Sequence, residues 1–156
     1  MDQNKCLSRL QKLCSKAEYC TSDIRRKALK DLEGDEEAAA RVVASLVQDR
    51  YVDDARYASA FAREKAQIQG WGPLKIRFQL RAKGVKDSVI TEALQEVEPQ
   101  RAQDKLEKVL QVKAKALQGD PQFKLKLLKF GLGRGYDYDE VENAVSKIIA
   151  TFAATK

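Results

Sequence analysis

Apolar side chains recur at intervals of three and four along nearly the whole chain, and the strict alternation of a half-buried strand is nearly absent. Leu7, Leu10, Leu13 and Cys14 mark the inner face of a first helix. Thr21 or Ser22 is placed to cap a second, with Ile24, Ala28, Leu29 and Leu32 inward and Gly34 at its end. A third runs from Glu36 to Arg50 on Val42, Val43, Leu46 and Val47. Asp53 and Asp54 are ready caps for a fourth, whose apolar face is Tyr57, Ala58, Phe61 and Ala62, and Gly70 to Gly72 breaks it. Pro73 suits the first position of a fifth helix, where its missing N–H would be unpaired anyway, and Ile76 and Leu80 follow one turn apart. Gly84 closes that helix, and Asp87 caps a sixth on Ile90, Ala93, Leu94 and Val97. Pro99 opens a long seventh helix through Leu106, Val109, Leu110 and Ala114 to about Leu117. Gly119-Asp120-Pro121 breaks and restarts the chain. After Gly135 and Asp137 a last helix follows on Val141, Ala144, Val145, Ile148 and Ile149. The expected fold class is therefore all-α, with about nine helices joined by short turns.

These helices repeat in threes. Lys83-Gly84-Val85 precedes Arg134-Gly135-Tyr136 by 51 residues, and at the same offset Ile76 matches Leu127, Ile90 matches Val141, Ala93 matches Ala144 and Leu94 matches Val145. The first third is a weaker copy, in which Ile24 and Ala28 parallel Ile76 and Leu80 while Val42 and Leu46 parallel Ile90 and Leu94. This predicts tandem three-helix repeats over 1–50, 51–98 and 99–156 in an elongated or curved helical array. A unit of about 50 residues buries its own apolar stripe poorly, so neighbours must stack.

Composition narrows the chemistry. The 156 residues include no histidine, which removes Ser-His and Cys-His nucleophile pairs and any zinc site that needs imidazole. Cys6, Cys14 and Cys20 form no C-x-x-C pair, so they are expected to be reduced, partly buried thiols. No span of the length a bilayer needs is unbroken and apolar, and the polar start MDQNKCLSRLQKLC lacks the apolar core of a signal peptide. An intracellular protein without membrane contact is expected.

The net charge of +6 conceals a strong asymmetry. From Arg63 to Lys86 seven cations (Arg63, Lys65, Lys75, Arg77, Arg81, Lys83 and Lys86) meet one acid, Glu64, giving +6 over 24 residues. Arg77 and Arg81 are one helical turn apart and share a face. From Arg101 to Arg134 nine cations meet Asp104, Glu107 and Asp120, again a net +6, with Lys124, Lys126, Lys129 and Arg134 at its end. Asp104 is four residues before Lys108, a spacing that predicts an ion pair. The acids gather instead at Asp31–Glu37 and Asp137–Glu142. Such a field steers association with an acidic surface or with phosphates and weakens with salt.

The stretch Asp54-x-Arg56-Tyr57-Ala58-x-x-Phe61, then Gly70-Trp71-Gly72-Pro73-Leu74-Lys75-Ile76-Arg77, then Leu80-Arg81-x-Lys83-Gly84-Val85, resembles the core of the RecX family, regulators of the bacterial recombinase RecA. The likeness continues into Gly135-Tyr136-Asp137-Tyr138. Where this chain has Phe78 and Gln79, the family usually has a small or polar residue and Glu. The resemblance implies a cytoplasmic protein of tandem three-helix repeats, without enzymatic activity, cofactor or metal. It further implies a role in DNA repair by homologous recombination and in the SOS response. Its partner would be the RecA–DNA filament, in whose groove it would lie, suppressing strand exchange and RecA's ATPase. A monomer is expected. A stand-alone helical protein that binds single- or double-stranded DNA through the same basic faces is the open alternative.

The candidate contact residues are accordingly Arg63, Lys65, Trp71, Lys75, Arg77, Arg81, Lys83, Lys86, Lys124, Lys126, Lys129 and Arg134. Trp71, inside a Gly-Pro turn, is expected to plug the turn onto a neighbouring helix, with an exposed anchor as the alternative. Phe78, Phe123 and Phe130 are expected in the core, because their spacing is helical. Gly131-x-Gly133-x-Gly135 follows a helix rather than a strand and has no Gly-Lys-Ser/Thr, so it is read as a helix end and not a phosphate loop. Asp53-Asp54 and Asp137-Tyr138-Asp139-Glu140 stand at helix starts and are read as caps, with no catalytic or metal role.

Overall fold

A computed structural model describes residues 1–154. The described residues form nine α-helices and no strand: α1 (Gln3–Lys16), α2 (Thr21–Asp31), α3 (Glu36–Gln48), α4 (Asp54–Gln67), α5 (Pro73–Ala82), α6 (Asp87–Gln95), α7 (Pro99–Ala116), α8 (Phe123–Gly133) and α9 (Tyr138–Ala154). None of them is long and apolar enough to cross a membrane.

Four of the helix starts rest on one device. Asp2, Asp35, Asp53 and Asp137 each accept a hydrogen bond from the backbone N–H three residues on, at 2.8, 3.1, 3.1 and 2.9 Å. Each satisfies one of the N–H groups that a helix leaves unpaired at its start. The second helix departs from expectation. Its cap position is Cys20, which makes no side-chain capping bond, and Thr21 is already helical. The exposed donors are met from elsewhere: Asp54, expected to cap its own helix, accepts from Thr21 N at 2.7 Å and Thr21 Oγ1 at 3.0 Å.

The chain divides into two compact units, each discontinuous in sequence. The first comprises Met1–Ala60 with Leu80–Ala93, and the second Phe61–Gln79 with the chain from Leu94 onward. The middle stretch 51–98 therefore supplies segments to both. In the first unit, Cys6, Leu10, Ile24, Ala28, Ala39, Val42, Leu46 and Val52 form a buried core between α1, α2 and α3. In the second, Leu106, Leu110, Ala114, Leu127, Val141, Val145 and Ile148 close the space between α7, α8 and α9, joined by Tyr136 from the preceding turn. Each fully buried Leu or Ile stabilises by roughly 1.5–3 kcal/mol relative to exposure. Cys6 and Cys20 are buried free thiols and Cys14 is half-buried. Burial is the main cause pushing all three above the ordinary thiol range, which makes them poor nucleophiles at neutral pH.

Phe123 and Phe130 pack on the second core. Phe78 does not: it is 69% exposed. Two residues from Ile76 and two from Leu80, both buried, it stands about 200° round the helix from each, on the opposite face.

Candidate partner-binding surfaces

The Gly-Trp-Gly-Pro turn between α4 and α5 forms a backbone clasp with the Arg134-Gly135-Tyr136 turn between α8 and α9. Gly72 N–H donates to the Arg134 carbonyl at 2.7 Å and Leu74 N–H to the Gly135 carbonyl at 2.9 Å. Arg134 Nη2 donates to the Gln69 carbonyl, and the buried Tyr136 hydroxyl to the Gly70 carbonyl at 3.1 Å. The approach is so close that a Cβ on Gly72 would stand 2.3 Å from the Gly135 carbonyl oxygen. A Cβ on Gly135, where φ is +97°, would stand 2.3 Å from Lys75 Cβ. Both glycines are required by the packing of backbone on backbone. Burial pushes the Tyr136 phenol up to about 12, so it remains a neutral donor at physiological pH.

The first unit repeats the arrangement with side chains. The Lys83 carbonyl accepts from Ser22 Oγ at 2.6 Å, and Lys83 Nζ donates to Asp23 Oδ1 and Oδ2 at 3.0 and 3.3 Å. Thus each basic-Gly turn, Lys83-Gly84 and Arg134-Gly135, meets the chain at the start of a helix, α2 in one case and α5 in the other. Desolvation is the largest influence on Asp23 and opposes its ionisation. Hydrogen bonds from Lys83, Cys20 and Arg26, with the Lys83 charge, outweigh it and hold the carboxyl below its ordinary range.

Trp71 occupies the middle of the Gly-Pro turn, half-buried. Its ring lies edge-on to Phe61 (6.1 Å, 72°), with Lys65 Nζ 4.9 Å and Lys75 Nζ 4.3 Å from its centroid. The ring is thus a plug covered by two cations rather than an open stacking platform.

The remaining candidates are distributed among several surroundings. In the second unit, exposed Arg63 pairs with exposed Glu96 at 3.3 Å, and Lys126 with Asp120 at 2.6 Å. Lys124 and Lys129 are exposed, and Arg77 is half-buried on α5. Arg134 is half-buried, held by the Gln69 carbonyl and by the Phe130 ring 5.8 Å from its Cζ. In the first unit, exposed Arg81 pairs with Asp87 at 2.6 Å, Lys83 is tied to Asp23, and Lys86 is exposed. The Asp104–Lys108 pair expected from spacing does not form; Asp104 accepts from Gln100 Nε2 at 2.9 Å instead. Gly131 and Gly133 lie in the last turn of α8 and Gly135 just beyond its end, as expected, and a Cβ on Gly131 would reach 2.6 Å from Val141 Cγ1. Among the described residues no group of three or more His, Cys, Asp or Glu could hold a metal.

Lys105, Lys108 and Lys113 are not among the candidate contact residues; they counted only in the long basic stretch, Lys108 also as the expected partner of Asp104. They line a groove of about 370 Å³ with Val109, Val112, Ala116, Phe130 and Arg134. The available signal was their spacing with the valines, which places all of the α7 members on one stripe.

The nine helices of the described residues, with the same basic-Gly turn meeting a helix start twice, define an all-α protein of repeated three-helix modules. Comparison with known proteins agrees. A family model described as RecX, second three-helix domain, matches residues 53–94. The protein named Regulatory protein RecX in Bacillus mycoides (strain KBAB4) is 32% identical over 109 residues, covering 69% of this chain and 40% of that protein. Its namesake in Clostridium botulinum (strain Eklund 17B / Type B) is 31% identical over 119 residues, covering 74% and 55%. The chain thus matches about two fifths to just over half of the length of these curated relatives. A crystal structure of regulatory protein RecX superposes with a TM-score of 0.81 at 26% identity, over 90% of this chain and 70% of that one. RecX from Lactobacillus salivarius shares the fold, with a TM-score of 0.78 at 17% identity over 95% and 97%. The chain belongs to the RecX family.

Proposed function

We propose that this chain is a regulatory binding protein that inhibits RecA by occupying the RecA–DNA filament, with the basic side chains of α4 and α5 making the contact. The observation that carries this reading is the family match over 53–94, because that stretch holds the Gly-Trp-Gly-Pro half of the clasp and the densest run of cations. Arg63, Lys65, Lys75, Arg77, Arg81, Lys83 and Lys86 all belong to it. Two of these cations already sit in exposed ion pairs, Arg63 with Glu96 and Arg81 with Asp87. Exposed pairs add little stability, so exchanging an internal carboxylate for one on a partner, or for a phosphate, costs little. The protein would act by surface occupancy, as a cytoplasmic monomer without a catalytic step or cofactor.

The test is RecA's DNA-dependent ATPase measured against added protein. Replacing both Arg77 and Arg81 with Glu reverses two charges and is expected to raise the concentration needed for half-inhibition by about tenfold or more. The helical circular dichroism should be retained. Undiminished inhibition by the double variant removes α5 from the mechanism. Tight binding to naked DNA that RecA filaments do not improve would instead favour a stand-alone DNA-binding protein.

A further inference from the structure

Lys105, Lys108, Val109, Val112, Lys113 and Ala116 are spaced by three, four or one along α7, and together they form one stripe of that helix. The stripe lines the groove of about 370 Å³ whose other wall is Phe130 and Arg134 of the α8 end. Four cations and no carboxylate line it. The nearby acids of α7 are engaged elsewhere: Asp104 by Gln100, and Glu107 by Lys147 at 3.6 Å. Val112 stands 72% exposed between the lysines. An aliphatic floor with a rim of a single charge sign is the complement of an acidic amphipathic helix, in which apolar side chains at three- and four-residue spacing are flanked by carboxylates.

We infer that this groove receives an acidic amphipathic helical segment of a partner protein, its apolar side chains seated on Val109, Val112 and Ala116 and its carboxylates on Lys105, Lys108 and Lys113. A nucleic-acid strand fits less well. Stacking needs an open π face, and the one aromatic ring of the groove already carries Lys113 Nζ at 5.3 Å and Arg134 Cζ at 5.8 Å from its centroid. Two valines and an alanine offer bases no such face. The inference stands apart from the RecA reading, because the groove lies outside residues 63–86 and its test contains no RecA.

The probe is a fluorescein-labelled peptide of about 18 residues, five helical turns, with Leu at three- and four-residue spacing and Glu on both flanks. It is titrated with the full chain by fluorescence anisotropy. Lys108 and Val112 are both exposed, so Lys108→Glu and Val112→Ser should leave the circular dichroism and Trp71 fluorescence unchanged. Saturable binding is expected, about tenfold weaker with Lys108→Glu and about fivefold weaker with Val112→Ser. The peptide with Gln in place of Glu should bind at least about tenfold less tightly to the parent protein. Absence of saturable binding, or equal affinity of both variants and the parent, would overturn the inference. So would an oligo-dT strand that outcompetes the peptide, is weakened by Lys108→Glu and ignores Val112→Ser.

Discussion

Gly72→Ala is the sharpest perturbation available, because the added atom has nowhere to go. Its Cβ would stand 2.3 Å from the Gly135 carbonyl oxygen, 2.4 Å from the carbonyl carbon and 2.6 Å from Tyr136 N. All three are backbone atoms, which cannot turn aside as the end of a flexible side chain can. Relief requires the two turns to separate, at the expense of the Gly72–Arg134 and Leu74–Gly135 backbone hydrogen bonds and the Tyr136–Gly70 bond. At about 1 kcal/mol net for each bond, the expected destabilisation is about 3 kcal/mol. The assay is urea unfolding followed by fluorescence excited selectively at the indole, since Trp71 is the single tryptophan and sits inside the clasp. Gly34→Ala is the control: φ there is +84° with nothing within 4 Å of a Cβ, so only a left-handed backbone cost of roughly 1–2 kcal/mol applies, read by circular dichroism. If Gly72→Ala unfolds within about 0.5 kcal/mol of the parent, a typical surface-substitution effect, the clasp does not hold the turn as described.

Two further predictions concern pH. Asp23 is held below its ordinary range, so its contribution is fully present above that range and is lost as pH falls from there through the lowered value. Asp23→Asn should cost about 1–2 kcal/mol at pH 7, allowing for solvent screening of Lys83, which is 38% exposed, and the gap from the parent should close on acidification. A gap that is constant down to acid pH would show that the Lys83–Asp23 pair is not its source. Tyr136, raised to about 12, favours the folded state fully below pH 10, the ordinary tyrosine value, and loses that contribution as pH climbs through about 12. Tyr136→Phe should cost about 1 kcal/mol at neutral pH through the orphaned Gly70 carbonyl and should flatten the alkaline fall in stability. An alkaline profile parallel to the parent's would exclude Tyr136 as its origin.

Much of the chain was legible because helices are local. Pro73 and Pro99 each stand first in a helix, and Gly84 and Gly135 follow helix ends, because backbone conformation there depends on the residue itself and its near neighbours. The buried stripe of Ile76 and Leu80, and that of Val141, Ala144, Val145 and Ile148, follow from 3.6-residue periodicity alone. Phe78 shows how spacing misleads when its phase within the helix is ignored. Its helical spacing suggested a core position, but two residues from Ile76 it points the other way.

The sequence by itself determined the helices, the RecX likeness and the concentration of cations between Arg63 and Lys86. It could also show that two basic-Gly turns lie 51 residues apart. What each turn touches was decided only by tertiary structure. Asp54 reaches the start of α2 across 33 positions, Lys83 reaches Asp23 across 60, and Tyr136 reaches Gly70 across 66. Periodicity carries no information on such pairs, because it reports which face of a helix is buried and not which neighbour buries it. The same reason governs the cations. A charge run sums to +6 on paper, but whether a lysine covers a tryptophan, pairs with an aspartate or lines an open groove depends on what folding brings beside it.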